Sequence, residues 1–327
     1  MLIYLADLYH SNGKVNSPTP TNVGFVAAYC KKIFSDSVEI RLFKDPRKLL
    51  DELDSNPPDI LGLSNYMWNE RLNYYVTEFA KKKNRDMVVV VGGPNIRIDK
   101  KSVGKFLQKH SLYDYYILFG AEIPFSNLVK SIIDKKSKIK EKEEIEGCFF
   151  IKEKEIIGES YISNEKNLDY IPSPFLSGLM DEFLNDGYYP LFETNRGCPF
   201  SCTFCVWGIA ALGKIKTFSM ERVREEMLYV ANNFPRASQW ILADANFGIM
   251  PRDVEIATLI KEMHVETKAF DRVNIWWTKN VNERTYKIAK ILGKLCQAYV
   301  AFQSLDPKVL KLIRRSNISV DKLAEFK

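Results

Sequence analysis

The sequence predicts an α/β protein of two successive domains, each built on parallel strands. Three observations carry this. Strand-like and helix-like segments alternate five times over residues 1–135 and resume from Tyr189. Residues 87–93, MVVVVGG, form a continuous apolar run, as in a central parallel strand covered on both faces. The length of 327 residues suits about two domains.

Taken in order, LIYLAD (2–7) is a buried first strand, followed by a loop rich in Gly, Pro, Ser and Asn from His10 to about Thr21. Helical periodicity runs over 23–34, and VEIRLF (38–43) alternates as a strand. Pro46 opens a helix to Leu53, a strand begins at Ile60, and 69–83 is helical. After MVVVVGG come a helix over 100–109, the strand YYILFG (115–120) and a helix from Pro124 to about Asp134. Such alternation implies a parallel sheet with right-handed crossovers, and five units suit a flavodoxin-like doubly wound domain over 1–135. Ligands of such folds bind beyond the carboxyl ends of the strands. Those ends carry Asp7–Gly13, Ser64–Trp68, Gly92-Gly93-Pro94-Asn95 and Gly120-Ala121-Glu122. Glycine there lets backbone approach a large ligand, and it also simply makes turns.

Residues 136–187 read as a charge-rich linker with a short hairpin in GCFFIKEKEIIGES. Over 188–327 the expected strands are 191–195, 240–246, 273–278 and 297–304, with helices over 219–232, 251–267, 282–292 and 307–315. Four βα units do not close a barrel, so the expectation is a partial barrel. Either its fourth strand is an exposed edge or the sequence is a fragment of a longer protein.

Composition excludes several classes. Hydrophobic residues are 46 % and charged residues 27 %, too apolar and too weakly charged for a disordered chain. The net charge of +6 is small, and no basic–aromatic stripe points to nucleic acid. Runs such as Lys81-Lys82-Lys83 read as solvated helix faces. No apolar run approaches the roughly 20 residues of a membrane span. The start lacks the features of a signal peptide, so the cytoplasm is expected.

Of six cysteines, Cys30, Cys148 and Cys296 are scattered and read as small core residues. The other three are spaced Cys198-x3-Cys202-x2-Cys205 in RGCPFSCTFCVWG. Three thiolates in one loop can wrap one face of a compact metal centre. An iron–sulfur electron carrier normally has four cysteine ligands. Three leave a position open, and open positions go with chemistry. Structural zinc is the rival reading. It wants a fourth ligand at a recognisable spacing, and His10, His110 and His264 are isolated.

The loop resembles that of radical S-adenosylmethionine (SAM) enzymes, whose CxxxCxΦC motif is complete here with Phe204 as the aromatic. The resemblance implies that Cys198, Cys202 and Cys205 hold a 4Fe-4S cluster and that SAM chelates the fourth iron. SAM would then be cleaved to a 5′-deoxyadenosyl radical that removes hydrogen from a substrate. By the same resemblance Asp244 in LADANFG would hold the SAM amino group, an acidic acceptor for an ammonium. A turn or cap role is its bland alternative. Gln303 and Ser304 in AFQSLD would meet the SAM ribose. The family's fifth and sixth strands have no counterpart.

The N-terminal domain resembles the cobalamin-binding subclass of that family, in VVVVGGPNI, LSNYMWN and FGAEIPFSNLV. Cobalamin contacts are thereby expected at Ser64, Gly92, Gly93, Pro94, Gly120 and Glu122. Asp7-Leu-Tyr-His10-Ser-Asn-Gly13 has one residue too many for the DxHxxG motif in which His ligates cobalt, so His10 is either a ligand or a loop histidine. Lys279 would touch substrate or lie at the surface, and one of Trp276 and Trp277 should face inward. Arg314-Arg315 would satisfy helix-end carbonyls or meet a carboxylate.

The expected function is therefore a radical SAM enzyme carrying a 4Fe-4S cluster, SAM and cobalamin, which methylates or rearranges an unactivated carbon of an unknown substrate. An external electron donor such as flavodoxin or ferredoxin would serve it. The alternative is a non-catalytic iron–sulfur and cobalamin-binding module or a truncated remnant.

Overall fold

The computed structural model describes residues 1–10, 17–96, 98–135, 142–209, 212–235, 238–297 and 301–317. They form two compact units, one mainly from residues 20–164 with the N-terminus and 171–180, the other mainly from 181 onward with 16–19 and 165–170.

The first unit alternates β1 (Leu2–Ala6), α1 (Thr21–Phe34), β2 (Glu39–Phe43), α2 (Pro46–Ser55), β3 (Ile60–Ser64), α3 (Glu70–Lys83), β4 (Val88–Gly92), α4 (Lys100–Lys109), β5 (Tyr115–Ile117) and α5 (Glu122–Asp134). All five strands are parallel, in the order β2-β1-β3-β4-β5. Strand alternation divides the core. Tyr4, Ala6, Val89 and Val91 bury one face, and Ile3, Leu5, Val88 and Val90 the other. Covering both faces with helices is what makes the strands read as unbroken apolar runs. Asp45 and Asp99 cap α2 and α4 through the amides of Arg47 and Ser102. The strand order reverses between β1 and β3, which opens a crevice at their carboxyl ends.

The hairpin of β6 (Phe150–Lys152) and β7 (Glu155–Ile157) belongs to this unit. Phe149 exchanges backbone hydrogen bonds of 2.8 and 2.9 Å with Tyr116 of β5, so the hairpin grows from the sheet edge. Its turn, Glu153-Lys154, has φ of 48° and 72°, the left-handed pair that matches strand twist.

In the second unit α6 (Asp181–Asn185) precedes β8 (Leu191–Phe192), β9 (Asn195–Arg196), β10 (Lys216–Thr217), α7 (Met220–Asn233), β11 (Gln239–Leu242), α8 (Asp253–Thr267), β12 (Arg272–Asn274), α9 (Glu283–Leu292) and α10 (Pro307–Leu312). A parallel sheet of order β12-β11-β8 is its centre. Trp240 is fully buried on it, stacked 4.0 Å from Phe270 and tilted against Phe192 at 5.0 Å. The expected strand over 191–195 divides into β8 and β9, and β9 leaves the parallel sheet to pair antiparallel with β10. The expected strand over 297–304 lies partly outside the described residues. Its described residues, 297 and 301–304, are not in a strand. No described helix is long and apolar enough to cross a membrane.

Candidate cofactor sites

In the second unit, β9 and β10 clamp the base of residues 197–215, the loop that carries the three cysteines. Its backbone is held from both ends. The Cys198 amide donates to Leu212 O at 3.0 Å, the Cys205 amide to Cys202 O at 3.1 Å and the Gly208 amide to Cys205 O at 3.0 Å. Two glycines are required sterically. Gly197 has φ of 110°, and a Cβ there would meet Lys214 O at 2.5 Å. A Cβ on Gly208 would meet Cys202 O at 2.2 Å. All three cysteines are free thiols, Cys198 and Cys202 buried and Cys205 half-buried.

The outgoing ends of β11 and β12 run side by side to this loop. Phe247 N donates to Trp276 O at 2.8 Å and Thr278 N to Phe247 O at 2.9 Å. Asn246 Nδ2 thereby donates to Cys198 Sγ at 3.1 Å, and Lys279 Nζ to Cys202 Sγ at 3.0 Å. The Lys279 ammonium also sits 4.6 Å from the centre of the Phe200 ring. Among the described residues no three His, Cys, Asp or Glu side chains converge to hold a single metal ion. A tetrahedral ion with bonds of about 2.3 Å would need sulfurs about 4 Å apart. A cluster of several irons sets its thiolates around a wider body, and the donor set of three thiols with two N–H donors suits it.

Asp244 is buried at the end of β11 with its carboxylate turned into the protein. It accepts from the Thr194 amide at 2.8 Å, the Asn195 amide at 3.2 Å and the Thr194 hydroxyl. Burial pushes its pKa up to about 7, against the pull of those donors. Its contacts hold the β8–β9 turn ahead of the cysteine loop. Phe204 is 52 % exposed beside Cys205. Gln303 is exposed, and Ser304 Oγ accepts from the Asp306 amide at 3.1 Å before α10. Trp277 is buried and Trp276 exposed, as alternation requires. Arg315 donates to the carbonyl of Ala301.

In the first unit the crevice between β1 and β3 is built on Asp7, which takes the Lys44 ammonium at 2.5 Å and the Ser64 hydroxyl. Asn69 and Asn73, both buried in α3 or at its start, donate to Ser64 O at 3.1 and 2.9 Å. Gly93 has φ of 130°, and a Cβ there would meet Asn65 O at 2.6 Å. The Asn65 side chain is fully buried, and neither polar atom closes a hydrogen bond of ordinary length. Pro94 and Gly120 are exposed at the same ends of the sheet. Glu122 instead is buried beside Tyr29 and Cys30, and its charge opposes their ionisation. His10 Nε2 lies 2.7 Å from Trp68 O, so in this arrangement that nitrogen is engaged by the backbone. Trp68 stacks on Tyr66 at 4.4 Å and is exposed.

Lys44, Asn69, Asn73 and Asn246 are the residues sequence reasoning missed. Lys44 and Asn246 are revealed only by partners 37 and 48 residues away, and Asn69 and Asn73 only by the folding of α3 back onto the end of β3.

No family model matches the chain. It is 33 % identical over 273 residues to the cobalamin-dependent radical SAM methyltransferase TokK of Streptomyces tokunonensis, covering 81 % of this chain and 39 % of that protein. It is 31 % identical over 293 residues to the 2-(S-pantetheinyl)-carbapenam-3-carboxylate methyltransferase of Streptantibioticus cattleyicolor, covering 85 % and 42 %. The chain thus spans about two-fifths of the length of these relatives. Its fold is that of the cobalamin-dependent SAM radical enzyme OxsB, solved with aqua-cobalamin and SAM, at a TM-score of 0.68, 18 % identity, and 97 % and 46 % coverage. The radical SAM methyltransferase TsrM from Kitasatospora setae, solved with cobalamin and a [4Fe-4S] cluster, matches at 0.69, 12 % identity, and 94 % and 60 % coverage.

Proposed function

The chain is a cobalamin-dependent radical SAM protein by its sequence relatives, and from that premise we propose that it is the cofactor-binding part of a methyltransferase acting on an unactivated carbon. One observation carries the proposal: two buried thiols of a glycine-locked three-cysteine loop each receive an N–H donor, from Asn246 and from Lys279. Cysteine sulfurs that accept such hydrogen bonds are what an iron–sulfur cluster needs around it. Bound together, the cluster and SAM would supply hydrogen abstraction and cobalamin the methyl group. The chain's own residues would do the rest. Cys198, Cys202 and Cys205 hold the cluster, and Phe204, Asp244, Gln303 and Ser304 are the proposed SAM contacts. Asp244 also fixes the turn at Thr194 and Asn195.

In the first unit, Ser64, Gly92, Gly93, Pro94 and Gly120 form the proposed cobalamin cradle. The flat approach at Gly93, where no side chain fits, supports this. We read the parallel sheet of β8, β11 and β12 as the opening of a βα barrel. A one-electron donor such as flavodoxin or ferredoxin, in the reducing cytoplasm, completes the reading.

The test is anaerobic loading with iron, sulfide, SAM and hydroxocobalamin. About four irons per chain, cobalamin retained through desalting, and 5′-deoxyadenosine released on reduction are the expected results. Zinc without iron would sink the proposal. Iron and cobalamin without SAM cleavage would favour a binding module.

A further inference from the structure

We infer that Asn246 and Lys279 set the reduction potential of the cluster, by donating N–H···S hydrogen bonds to the two buried cysteine ligands. The inference rests on the reading of the loop as a cluster site and adds to it a role for two residues outside the motif.

The geometry is specific. Asn246 Nδ2 lies 3.1 Å from Cys198 Sγ and Lys279 Nζ 3.0 Å from Cys202 Sγ, across 48 and 77 residues of sequence. Both donors are fixed by backbone that is itself paired, through the bridge between Phe247 and Trp277. Asn246 is buried, and its Oδ1 closes no hydrogen bond among the described residues, so packing rather than a second partner holds the amide toward sulfur. Lys279 is held over the Phe200 ring, within the same loop, which keeps its charge at the sulfur instead of in solvent. Cys205, the half-buried ligand, is open to water and needs no such side-chain donor.

Reduction places one further negative charge on a cluster, and that charge spreads onto its sulfurs. A hydrogen bond or a cation at a ligand sulfur stabilises the reduced form more than the oxidised form and raises the potential. Lys279 brings a full charge and Asn246 a dipole, so Lys279 should contribute more. The electron itself would come from an external one-electron protein donor, and raising the potential brings the cluster within that donor's reach.

The experiment is a redox titration of the reconstituted full chain without SAM, followed by electron paramagnetic resonance, with iron counted in each sample. Lys279→Met should lower the ratio of reduced to oxidised cluster at a fixed potential about tenfold, equivalent to about 59 mV for one electron. Asn246→Leu should lower it by less, and Lys279→Arg should restore most of the ratio. If Lys279→Met takes up no iron, Lys279→Gln carries the comparison and should lie between Met and wild type. An unchanged potential in any fully loaded neutral Lys279 variant overturns the inference while leaving the cluster reading intact. Wild-type protein that assembles no cluster overturns the reading and the inference together.

Discussion

At the scale of single residues, the six cysteines divide by environment. Burial raises the thiol pKa of Cys148 and Cys296 to about 12 and that of Cys30 higher still. Iodoacetamide at neutral pH should therefore modify metal-free protein first at the half-buried Cys205, and leave Cys30 and Cys148 unmodified until unfolding. Peptide mass spectrometry reads this directly, and early labelling of Cys30 would contradict the packing described. Asp244 gives a second prediction. Its carboxyl titrates near 3.8 in the unfolded chain and near 7 when folded. Between those values the unfolded chain has released its proton while the folded chain keeps it. Stability from this group is thus fully present below about pH 4 and falls as pH rises toward 7. Asp244→Asn cannot ionise there, so the Tm of wild type minus that of the variant should shrink from pH 4 to pH 7. A constant difference would mean the carboxylate is ionised throughout. The cysteines were legible in sequence because their spacing is local. Asn246 was not, and Lys279 read only as a substrate contact or a surface residue, because a polar residue after a strand looks like any turn until the third dimension brings sulfur to it.

At the scale of elements, the strands of the first unit were legible because burial on two faces leaves an unbroken apolar run, as in Val88–Val91. The start of α2 was legible from Pro46, and the structure adds the side-chain caps of Asp45, Asp99 and Ser219 at α2, α4 and α7. The β9–β10 clamp was not, since two-residue strands show no periodicity and pair across the cysteine loop. The hairpin read as linker material because the contacts that tie it to the sheet edge, such as its exchange with Tyr116 and the Tyr115–Phe150 ring contact, join residues distant in sequence. The clamp and the strand ends work through glycine, and this can be tested. Gly93→Ala puts a Cβ 2.6 Å from Asn65 O at a φ of 130°, which should cost about 1–3 kcal/mol and weaken cobalamin retention. Gly208→Ala puts a Cβ 2.2 Å from Cys202 O and should reduce iron uptake by shifting the second ligand. Normal iron content in Gly208→Ala would show that the loop yields more easily than its hydrogen bonds suggest.

At the scale of the whole molecule, the chain is two units with separate cores, and the two candidate sites are built from different ones. Asp7, Lys44, Ser64 and Gly93 lie in the first, and the three cysteines with Asn246 and Lys279 in the second. Loading of the two cofactors should therefore be separable. The triple variant Cys198→Ala, Cys202→Ala, Cys205→Ala should lose all cluster iron yet retain hydroxocobalamin, since the proposed cobalamin residues all belong to the first unit. Lys44→Met should do the reverse. It leaves the buried Asp7 charge unpaired, at a cost of about 3–5 kcal/mol. That loss should fall on cobalamin binding and the melting of the first unit, with iron content preserved. Equilibrium dialysis of cobalamin beside iron analysis decides the matter. Loss of both cofactors in either variant would mean that the units fold or bind as one cooperative body, and the separation argued from their cores would fail.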